Sequence, residues 1–381
     1  MGTFITSLGL TAILIILAAL ILFGLITAYY FYFFRRLARL LHLSVQKLWQ
    51  KIFFLVLALI FALLSVNIFS RTALVLLHFI GISCIMDGIV QIIQHIRKKK
   101  PETSTLLYKI YQCGAIPLAL SFAIFGYGYY NIRHVVETTY TVTTEKTLSQ
   151  ESYKILLMAD MHYGTTADAE MVSELTERIA QEKPDLVLLG GDMVDENTSH
   201  AQMKEVFSIL GKIPSRYGIY SIFGNHDKSH YSENPSYTEE ELRSTVMENG
   251  ITILEDEMVS IGDDLNLLGR MDRSEPNRNT ASFMQTIDSE KYTLVLDHQP
   301  VEYDIYEKYG VDLVLSGHTH SGQIFPIGYI IEPLGFADNC YGQATWGHMQ
   351  GIVTSGVTGW GYPIRTQAHS EYVLITLKEA E

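Results

Sequence analysis

Cysteine and charged residues are both scarce in this sequence of 381 residues. There are three cysteines, Cys84, Cys113 and Cys340, and only Cys340 lies in the acidic second part of the chain. No disulfide can therefore form within that part, which excludes a disulfide scaffold and leaves the redox compartment open. Charged residues make up 18% of the chain, against about 25% in soluble domains. Hydrophobic residues make up 48%, which excludes an intrinsically disordered chain.

Acidic residues are almost absent from the first third of the chain. Residues 1–132 contain 11 Lys and Arg but only two acids, Asp87 and Glu102, whereas residues 133–381 contain 17 Lys and Arg and 39 acids. An apolar, basic part followed by an acidic part indicates two bodies with different surroundings. Because an acidic domain repels the phosphate backbone, we expect no nucleic-acid partner.

Long hydrophobic runs are concentrated in the basic part. Four of them, at about residues 8–34, 52–69, 72–93 and 110–132, predict an all-α transmembrane region with four helices, since a span needs about 20 predominantly apolar residues. The second run is at the short limit of that length. The sequence therefore predicts an integral membrane protein in contact with a lipid bilayer.

Two clusters of basic residues set the expected orientation of these spans. The first follows the first run and comprises Arg35, Arg36, Arg39, Lys47 and Lys51; the second precedes the fourth run and comprises Arg97 to Lys100 and Lys109. The positive-inside rule places both loops in the cytoplasm. The N-terminus and the acidic domain are then extracytoplasmic.

One acidic residue lies inside a predicted span. Asp87 falls within the third run, and an ionisable group within a membrane is by default a functional candidate. The alternative, which we favour, is a carboxyl group that is protonated or satisfied by a neighbouring helix.

The acidic part begins with a polar segment and continues as a folded domain. Residues 133–152 are Thr-rich and predict a linker that could contain an edge strand. From residue 153 onward, short apolar runs such as YKILLMA and DLVLLGG alternate with helical patterns. This alternation predicts an α/β domain over residues 153–381, with a sheet covered on both faces.

Polar residues with metal-binding chemistry follow these apolar runs. The motifs are D-x-H with Asp160 and His162, G-D-x-x-D with Asp192 and Asp195, G-N-H-D with Asn225, His226 and Asp227, D-H-x-P with His298, and G-H-x-H with His318 and His320. Because ligands bind beyond the carboxyl ends of strands in α/β sheets, we expect the five loops to converge. An extended backbone would point both members of each D-x-H or H-x-H pair in the same direction.

The residue types in these motifs indicate the chemistry of the site. Carboxylate, imidazole and amide groups without thiolate suit Mn, Fe, Zn or Mg. Seven potential ligands exceed one tetrahedral site, so two divalent metal ions that share a carboxylate fit the number better. Each motif alone is common in ordinary turns, and the occurrence of all five at strand ends is what favours a metal centre.

Together the motifs resemble those of the calcineurin-like metallophosphoesterase superfamily, from Tyr153 to the C-terminus. The strings SGHTHSGQIFP and VTSGVTGWGYPIR resemble the bacterial membrane-associated branch that includes UDP-diacylglucosamine pyrophosphohydrolases. The resemblance implies an α/β four-layer sandwich, in which helices flank two mixed sheets, and a location in a bacterial cell membrane.

The resemblance also implies roles for individual residues. One metal would be held by Asp160, His162 and His320, the second by Asn225, His298 and His318, and Asp192 would bridge the two. A hydroxide between the metals would attack phosphorus, His226 would protonate the leaving group, and Asp227 would orient His226. Asp195 is expected to be structural support. Arg365 would either reach a substrate phosphate or form a surface ion pair.

The function expected on this basis is hydrolysis of a phosphodiester, pyrophosphate or phosphomonoester bond. The membrane tether favours a lipid-linked or envelope substrate, and residues 229–243 predict a solvated rim of the site. A catalytically silent membrane sensor or scaffold is the alternative, against which the intact set of seven ligands argues. The oligomeric state is left open.

Overall fold

In the computed structural model the chain forms two compact units, Met1–Gly126 and Tyr127–Glu381. The structure describes residues 2–67, 70–98, 105–280, 284, 287 and 290–380, with side chains from residue 16 onward. The predicted end of the second apolar run at residues 68–69, and Lys99 and Lys100 of the second basic cluster, lie outside the described residues.

The first unit is helical where it is described. The helices are α1 (Gly2–Leu40), α2 (Leu48–Leu64), α3 (Arg71–Arg97), α4 (Leu106–Gln112) and α5 (Ala115–Arg133), whose last residues belong to the second unit. Among described residues, two stretches are long and apolar enough to cross a membrane, Ile16–Leu40 and Arg71–Arg97, and α4 with α5 adds a third if they form one broken span. Helix α2 is a shorter apolar helix of 17 residues. The four spans, and the orientation that depends on their number, therefore stay predictions.

The fourth apolar run is not the single helix that was expected. Helices α4 and α5 are bent by 65° relative to each other. Gly114 lies between them with φ +77°, a left-handed conformation that glycine adopts without strain. A Cβ at this position would lie 2.9 Å from ring carbons of Phe33. The break between α4 and α5 therefore coincides with the close packing and left-handed backbone of Gly114, and hydropathy alone does not reveal it.

Asp87 of α3 is buried and pairs with the neighbouring helices. Arg36 of α1 donates to Oδ1 at 2.7 Å, and the Tyr29 hydroxyl donates to Oδ2 at 2.9 Å. The Tyr111 hydroxyl of α4 also bonds Oδ1. Both carboxylate oxygens are therefore satisfied, as expected for an acid held by neighbouring helices.

Two six-stranded mixed sheets form the centre of the second unit. In spatial order the first contains β1 (Val136–Thr144), β12 (Glu371–Glu379), β2 (Ser152–Met158), β3 (Leu186–Gly190), β4 (Ile219–Ile222) and β5 (Ile251–Ile253). The second contains β10 (Gly342–Trp346), β11 (Met349–Val353), β9 (Leu313–Ser316), β8 (Tyr292–Leu296), β7 (Leu265–Gly269) and β6 (Glu257–Ile261). Strands β2 to β5 are parallel, as are β11, β9, β8 and β7, whereas the pairs β12–β2, β10–β11 and β6–β7 are antiparallel.

The segment predicted as a linker is partly a strand. Strand β1 pairs in parallel with β12, with Val136 opposite Glu371. Its side chains alternate between half-buried and exposed over most of its length, which is typical of an edge strand. Residues 136–144 are therefore part of the sheet of the second unit rather than a connection to it.

Apolar side chains from both sheets meet in an inner core, which includes Leu157, Leu188, Leu294 and Leu315. The outer face of the first sheet is covered by α6 (Ala169–Glu182), α7 (His200–Leu210) and α8 (Glu239–Glu248). The second sheet is covered by α9 (Tyr303–Lys308), and a short helix α10 (Gly328–Ile331) lies further along the chain. The order helix, sheet, sheet, helix confirms the predicted four-layer α/β fold.

Helix α6 illustrates how the sequence encodes these layers. Val172, Leu175 and Ile179 recur at helical spacing and are buried against the first sheet. The side chain of Asp168 accepts a hydrogen bond from the N–H of Met171 and caps the helix N-terminus.

Candidate metal centre and active-site cleft

The five predicted loops meet in one crevice between the two sheets. They follow β2, β3 and β4 of the first sheet and β8 and β9 of the second. The N–H of Asp160 donates to the carbonyl of Gly191 at 3.0 Å, which joins the first two loops. The N–H of His318 donates to Oδ2 of Asp160 at 2.9 Å, which joins loops from different sheets. Hydrogen bonds between loops therefore hold the crevice together.

One cluster of potential metal ligands contains Asp160, His162 and His320. One ligand atom from each residue lies within 4.8 Å of the other two. Nε2 of His320 lies 3.7 Å from Oδ1 of Asp160, and the ring centroids of His162 and His320 are 5.2 Å apart. The structure thus brings together the three residues expected to hold one metal.

A second cluster contains Asp192, His298 and His318, again with ligand atoms within 4.8 Å of one another. Oδ2 of Asp192 lies 3.1 Å from Nε2 of His298 and 3.9 Å from Nε2 of His162. The same carboxylate oxygen therefore faces both clusters, which is the position expected of a bridging ligand. The Nδ1–H of His298 donates to the carbonyl of Gly190 at 2.8 Å, an arrangement that leaves Nε2 for a metal.

Several buried polar atoms in the crevice lack a hydrogen-bond partner. They are Nε2 of His162, Nδ1 of His320 and Oδ1 of Asn225. A buried polar atom without a partner is costly, and a cation among these atoms would satisfy them. Together with the carboxylates of Asp160 and Asp192, this donor set fits divalent metal ions.

The backbone of these loops is strained where the ligands lie. Five of the seven predicted ligands have a left-handed backbone, with φ between 44° and 70°: Asp160, His162, Asp192, His318 and His320. The expectation that extended segments align the D-x-H and H-x-H pairs is therefore wrong, since tight turns orient them. Left-handed non-glycine residues concentrate at functional sites, where surrounding contacts enforce them.

Close approach of the loops requires glycine at Gly191. Its φ is +89°, and a Cβ there would lie 2.6 Å from the N of Gly224 and 2.8 Å from Nδ1 of His298. A side chain at this position would displace either the G-N-H-D loop or the His298 ring. The glycines of these motifs thus allow the backbone to crowd around the centre, as the sequence predicts.

Burial and neighbouring charges control protonation in the crevice. Burial, then the charge of His298, lowers the pKa of His318 to about 4. Burial, then the charge of His162, lowers the pKa of His320 well below its ordinary value. Both rings are therefore neutral at pH 7 and keep the lone pair that metal binding requires. Burial alone would raise the pKa of Asp192, but His298 and His162 outweigh it and hold the pKa well below its ordinary value.

His226 lies at the opening of the crevice beside an unexpected partner. Its Nδ1 is 2.9 Å and 3.0 Å from the two carboxylate oxygens of Glu196. Burial would lower the pKa of His226, but Glu196 and then Asp192 outweigh it and raise the pKa. The rings of Trp360 and Tyr231 lie 5.1 Å and 5.3 Å from the imidazole. These residues and Asn225 line an open cleft of about 530 Å³.

Asp227 does not orient His226 as predicted. Its carboxylate accepts hydrogen bonds from the backbone N–H groups of Asp192 (2.7 Å), Val194 (3.1 Å) and Gly224 (2.7 Å). The side chain is buried and points toward the backbone of the loops, while the imidazole contacts Glu196. Asp227 therefore clamps two ligand-bearing loops together.

Asp195 and Arg365 each contact one of the predicted metal ligands. Oδ2 of Asp195 lies 3.4 Å from Nδ1 of His162, as expected of structural support. Both readings of Arg365 are wrong, because its side chain is fully buried. The guanidinium donates to the carbonyls of His320 at 2.8 Å and Ser355 at 2.7 Å, and also to that of Thr358. It therefore fixes the loop that carries His320.

Sequence reasoning missed three residues of the cleft: Glu196, Tyr231 and Trp360. Glu196 directly follows the G-D-x-x-D motif, but nothing in its type or spacing distinguishes it from a surface acid. Tyr231 lies in the segment predicted as a solvated rim, and its exposed ring does stand at the opening. Trp360 lies within the quoted VTSGVTGWGYPIR string, where no role was assigned to it.

Comparison with known proteins agrees with this geometry. A family model of calcineurin-like phosphoesterases matches residues 153–322. An uncharacterized metallophosphoesterase of Helicobacter pylori strain J99 is 34% identical over 231 residues, which is 59% of this chain and 59% of that protein. One from Aquifex aeolicus strain VF5 is 31% identical over 247 residues, which is 63% of this chain and 90% of that protein.

A more distant relative carries a membrane description. A Bos taurus transmembrane protein with metallophosphoesterase domain is 26% identical over 253 residues, which is 61% of this chain and 54% of that protein.

The chain covers only about three fifths of the length of the Helicobacter pylori relative, whereas it covers nearly all of the Aquifex aeolicus relative. The five motifs, the four-layer fold and this similarity show that the chain belongs to the calcineurin-like phosphoesterase family.

Proposed function

We propose that this protein is a membrane-anchored, metal-dependent phosphohydrolase that cleaves a phosphodiester, pyrophosphate or phosphomonoester bond. The observation that carries the proposal is the pairing of two three-residue ligand clusters in one crevice with His226 at its opening. Hydrolysis of a phosphate ester needs positive charge at phosphorus and a proton donor for the leaving oxygen. The crevice offers sites for both.

Two divalent ions, one per cluster, are the proposed cofactors. The first would be held by Asp160, His162 and His320, the second by Asn225, His298 and His318, and Asp192 would contact both. Bound ions of this kind polarise phosphoryl oxygens and lower the pKa of water to about 7. They also supply positive charge to a part of the chain that has 39 acids and 17 Lys and Arg.

His226 is the proposed proton donor. Contact with Glu196 raises the pKa of the imidazole, which favours the protonated ring. Glu196 occupies Nδ1 and leaves Nε2 as the nitrogen available to the leaving oxygen. Trp360 and Tyr231 restrict the ring to this position by contact on its sides.

The proposed substrate is a phosphate ester that is lipid-linked or part of the cell envelope. Apolar helices tie the chain to a membrane, and a site that stays near a bilayer favours substrates that reside there. The proposed location is a bacterial cell membrane with the second unit outside the cytoplasm. Support comes from the basic clusters around the apolar helices and from the bacterial relatives.

The test is hydrolysis of bis-p-nitrophenyl phosphate and p-nitrophenyl phosphate by the purified full chain. We expect activity with added Mn²⁺, loss of activity with chelator, and loss of at least a hundredfold in His226→Ala, the lower end for general acid catalysis. Metal content is measured in parallel by mass spectrometry. A chain that binds no metal and hydrolyses neither ester would contradict the proposal and support a silent scaffold.

A further inference from the structure

Exposed apolar side chains of the second unit are concentrated in one segment. Among the described residues of this unit, twelve large hydrophobic side chains are exposed, and six of them lie in residues 325–336. They are Phe325, Ile327, Tyr329, Ile330, Leu334 and Phe336. We name residues 325–336, which include the short helix α10, the apolar loop. Scattered apolar residues are normal on a protein surface, but a contiguous group marks an interaction site.

A second group of exposed aromatic residues lies at the C-terminal end of α5. Tyr127, Tyr129 and Tyr130 are 53% to 60% exposed, and the guanidinium of Arg133 lies 4.0 Å from the ring centroid of Tyr129. Tyrosines and basic residues at the end of an apolar helix are typical of the membrane–water interface. Helix α5 is part of the candidate broken span.

The same short segment binds both groups. The N–H of Arg365 donates to the carbonyl of Gly128 at 2.9 Å, and the side chain of Asn131 donates to the carbonyl of Arg365 at 3.1 Å. On the other side, the N–H of Phe325 donates to Oγ1 of Thr366 at 3.0 Å. The apolar loop and the end of α5 are therefore neighbours, joined through residues 365–366.

The loop also lacks the charges of an ordinary surface. Glu332 is the only charged residue in residues 325–336. One of its carboxylate oxygens accepts a hydrogen bond from the N–H of Cys340 at 2.6 Å, which ties it to the domain. Few charges, large exposed side chains and adjacency to an aromatic helix end are features of segments that lie in a bilayer interface.

We propose that the apolar loop inserts into the interfacial region of the lipid bilayer beside the C-terminal end of α5. The occupant is lipid because the loop is joined through residues 365–366 to the tyrosine-rich end of an apolar helix. The second unit is then held to the membrane at two points, α5 and the apolar loop. This inference does not depend on the proposed hydrolytic activity.

Gln323, two residues before the apolar loop, connects this part of the chain to the active-site cleft. The side chain of Gln323 donates to the carbonyls of Tyr362 and Ile364 at 3.0 Å each, and its Oε1 accepts from the N–H of Trp360 at 3.0 Å. Trp360 lines the cleft beside His226. Insertion of the loop would therefore hold the cleft opening close to the bilayer surface.

Photochemical crosslinking of the full chain tests the insertion. p-Benzoylphenylalanine is placed at Tyr329 or Phe336, and the chain is reconstituted in phosphatidylethanolamine–phosphatidylglycerol vesicles. Positions Met247 and Met258 serve as controls, since both are exposed but lie outside the apolar loop and outside the residues that line the cleft. After irradiation, peptides are analysed for a mass shift equal to one lipid molecule. Substitution at exposed positions preserves folding, and thermal unfolding of each variant verifies it.

The expected result is a lipid adduct at Tyr329 and at Phe336 and none above background at Met247 or Met258. Equal yields at all four positions, or no adduct at the loop positions, would overturn the proposal. Adducts between two copies of the chain would also overturn it, because the surface would then be a protein interface.

Discussion

The two carboxylate oxygens of Glu196 lie 2.9 Å and 3.0 Å from Nδ1 of His226. This contact gives the imidazole a partner at Nδ1, on the side of the ring away from Nε2, and raises the pKa of His226. In our account Glu196 keeps His226 protonated and in place, so the carboxylate acts on the reaction only through the ring.

Replacement of Glu196 by Gln should therefore slow hydrolysis most for substrates with a poor leaving group. We expect a roughly tenfold to hundredfold fall in kcat for a phenyl diester, within the range of general acid catalysis, and a smaller fall for the p-nitrophenyl diester. The measurement is kcat for both esters with metal content determined alongside. An equal loss with both leaving groups would argue against support of a proton donor.

Asp227→Asn should lower the stability of the folded chain without changing how the rate of hydrolysis depends on the leaving group. The carboxylate accepts three backbone N–H groups, and an amide presents donors where acceptors are needed. Each buried group left unsatisfied costs about 1–3 kcal/mol, so we expect a lower unfolding temperature and weaker metal retention. Differential scanning fluorimetry of the detergent-solubilised chain measures this. If the variant unfolds at the wild-type temperature but its rate of hydrolysis depends differently on the leaving group, Asp227 orients His226 after all.

Arg365→Met should weaken the metal cluster that contains His320. The guanidinium donates to the carbonyl of His320, and loss of groups that orient metal ligands typically costs about tenfold to a hundredfold in affinity. Titration of Mn²⁺ into chelator-treated protein should show one weakened site and a second site that changes less. If the variant lowers only the unfolding temperature and leaves both affinities unchanged, the role of Arg365 is purely structural.

Glu371 should make the second unit acid-sensitive. Its carboxylate accepts from Oγ1 of Thr354 at 3.0 Å and from the N–H of Ser355 at 2.9 Å. Burial would raise the pKa of Glu371, but the bonds to His369 and Thr138 lead the contacts that outweigh it and lower the pKa.

Because the folded pKa lies below the unfolded value of about 4.3, Glu371 stabilises the fold above that pH. This stability is lost as the pH falls through the lowered folded pKa. Glu371→Gln should therefore reduce the unfolding temperature at pH 7, and its difference from wild type should shrink below about pH 4. A difference that does not change with pH would show that ionisation of Glu371 is irrelevant to stability.

The sequence predicts the fold and the clustering of the ligands well, because both depend on residues that are close together in the chain. Buried strands such as β3 are short apolar runs, and the polar residues that follow them must lie at the strand ends. The position of Asp192 between His162 and His298 is a consequence of that arrangement. Such inferences need only periodicity and the geometry of a parallel sheet.

Long-range contacts account for what the sequence does not reveal. Whether Glu196 or Asp227 faces His226 depends on how two loops pack, since both acids are close to the motifs in sequence. Burial of Arg365 depends on carbonyl groups from two separate parts of the chain, one at His320 and one at Ser355 and Thr358. The bend at Gly114 depends on the approach of Phe33 from another helix. None of these features leaves a signal in local composition.

The most direct test of the central claim is the metal content and turnover of Asp192→Ala beside the wild-type chain. The account predicts that the wild type binds two ions, one per cluster, and hydrolyses bis-p-nitrophenyl phosphate with Mn²⁺. Asp192→Ala should lose both ions and nearly all activity, because its carboxylate faces both clusters. A variant that keeps both ions and wild-type turnover would contradict the account.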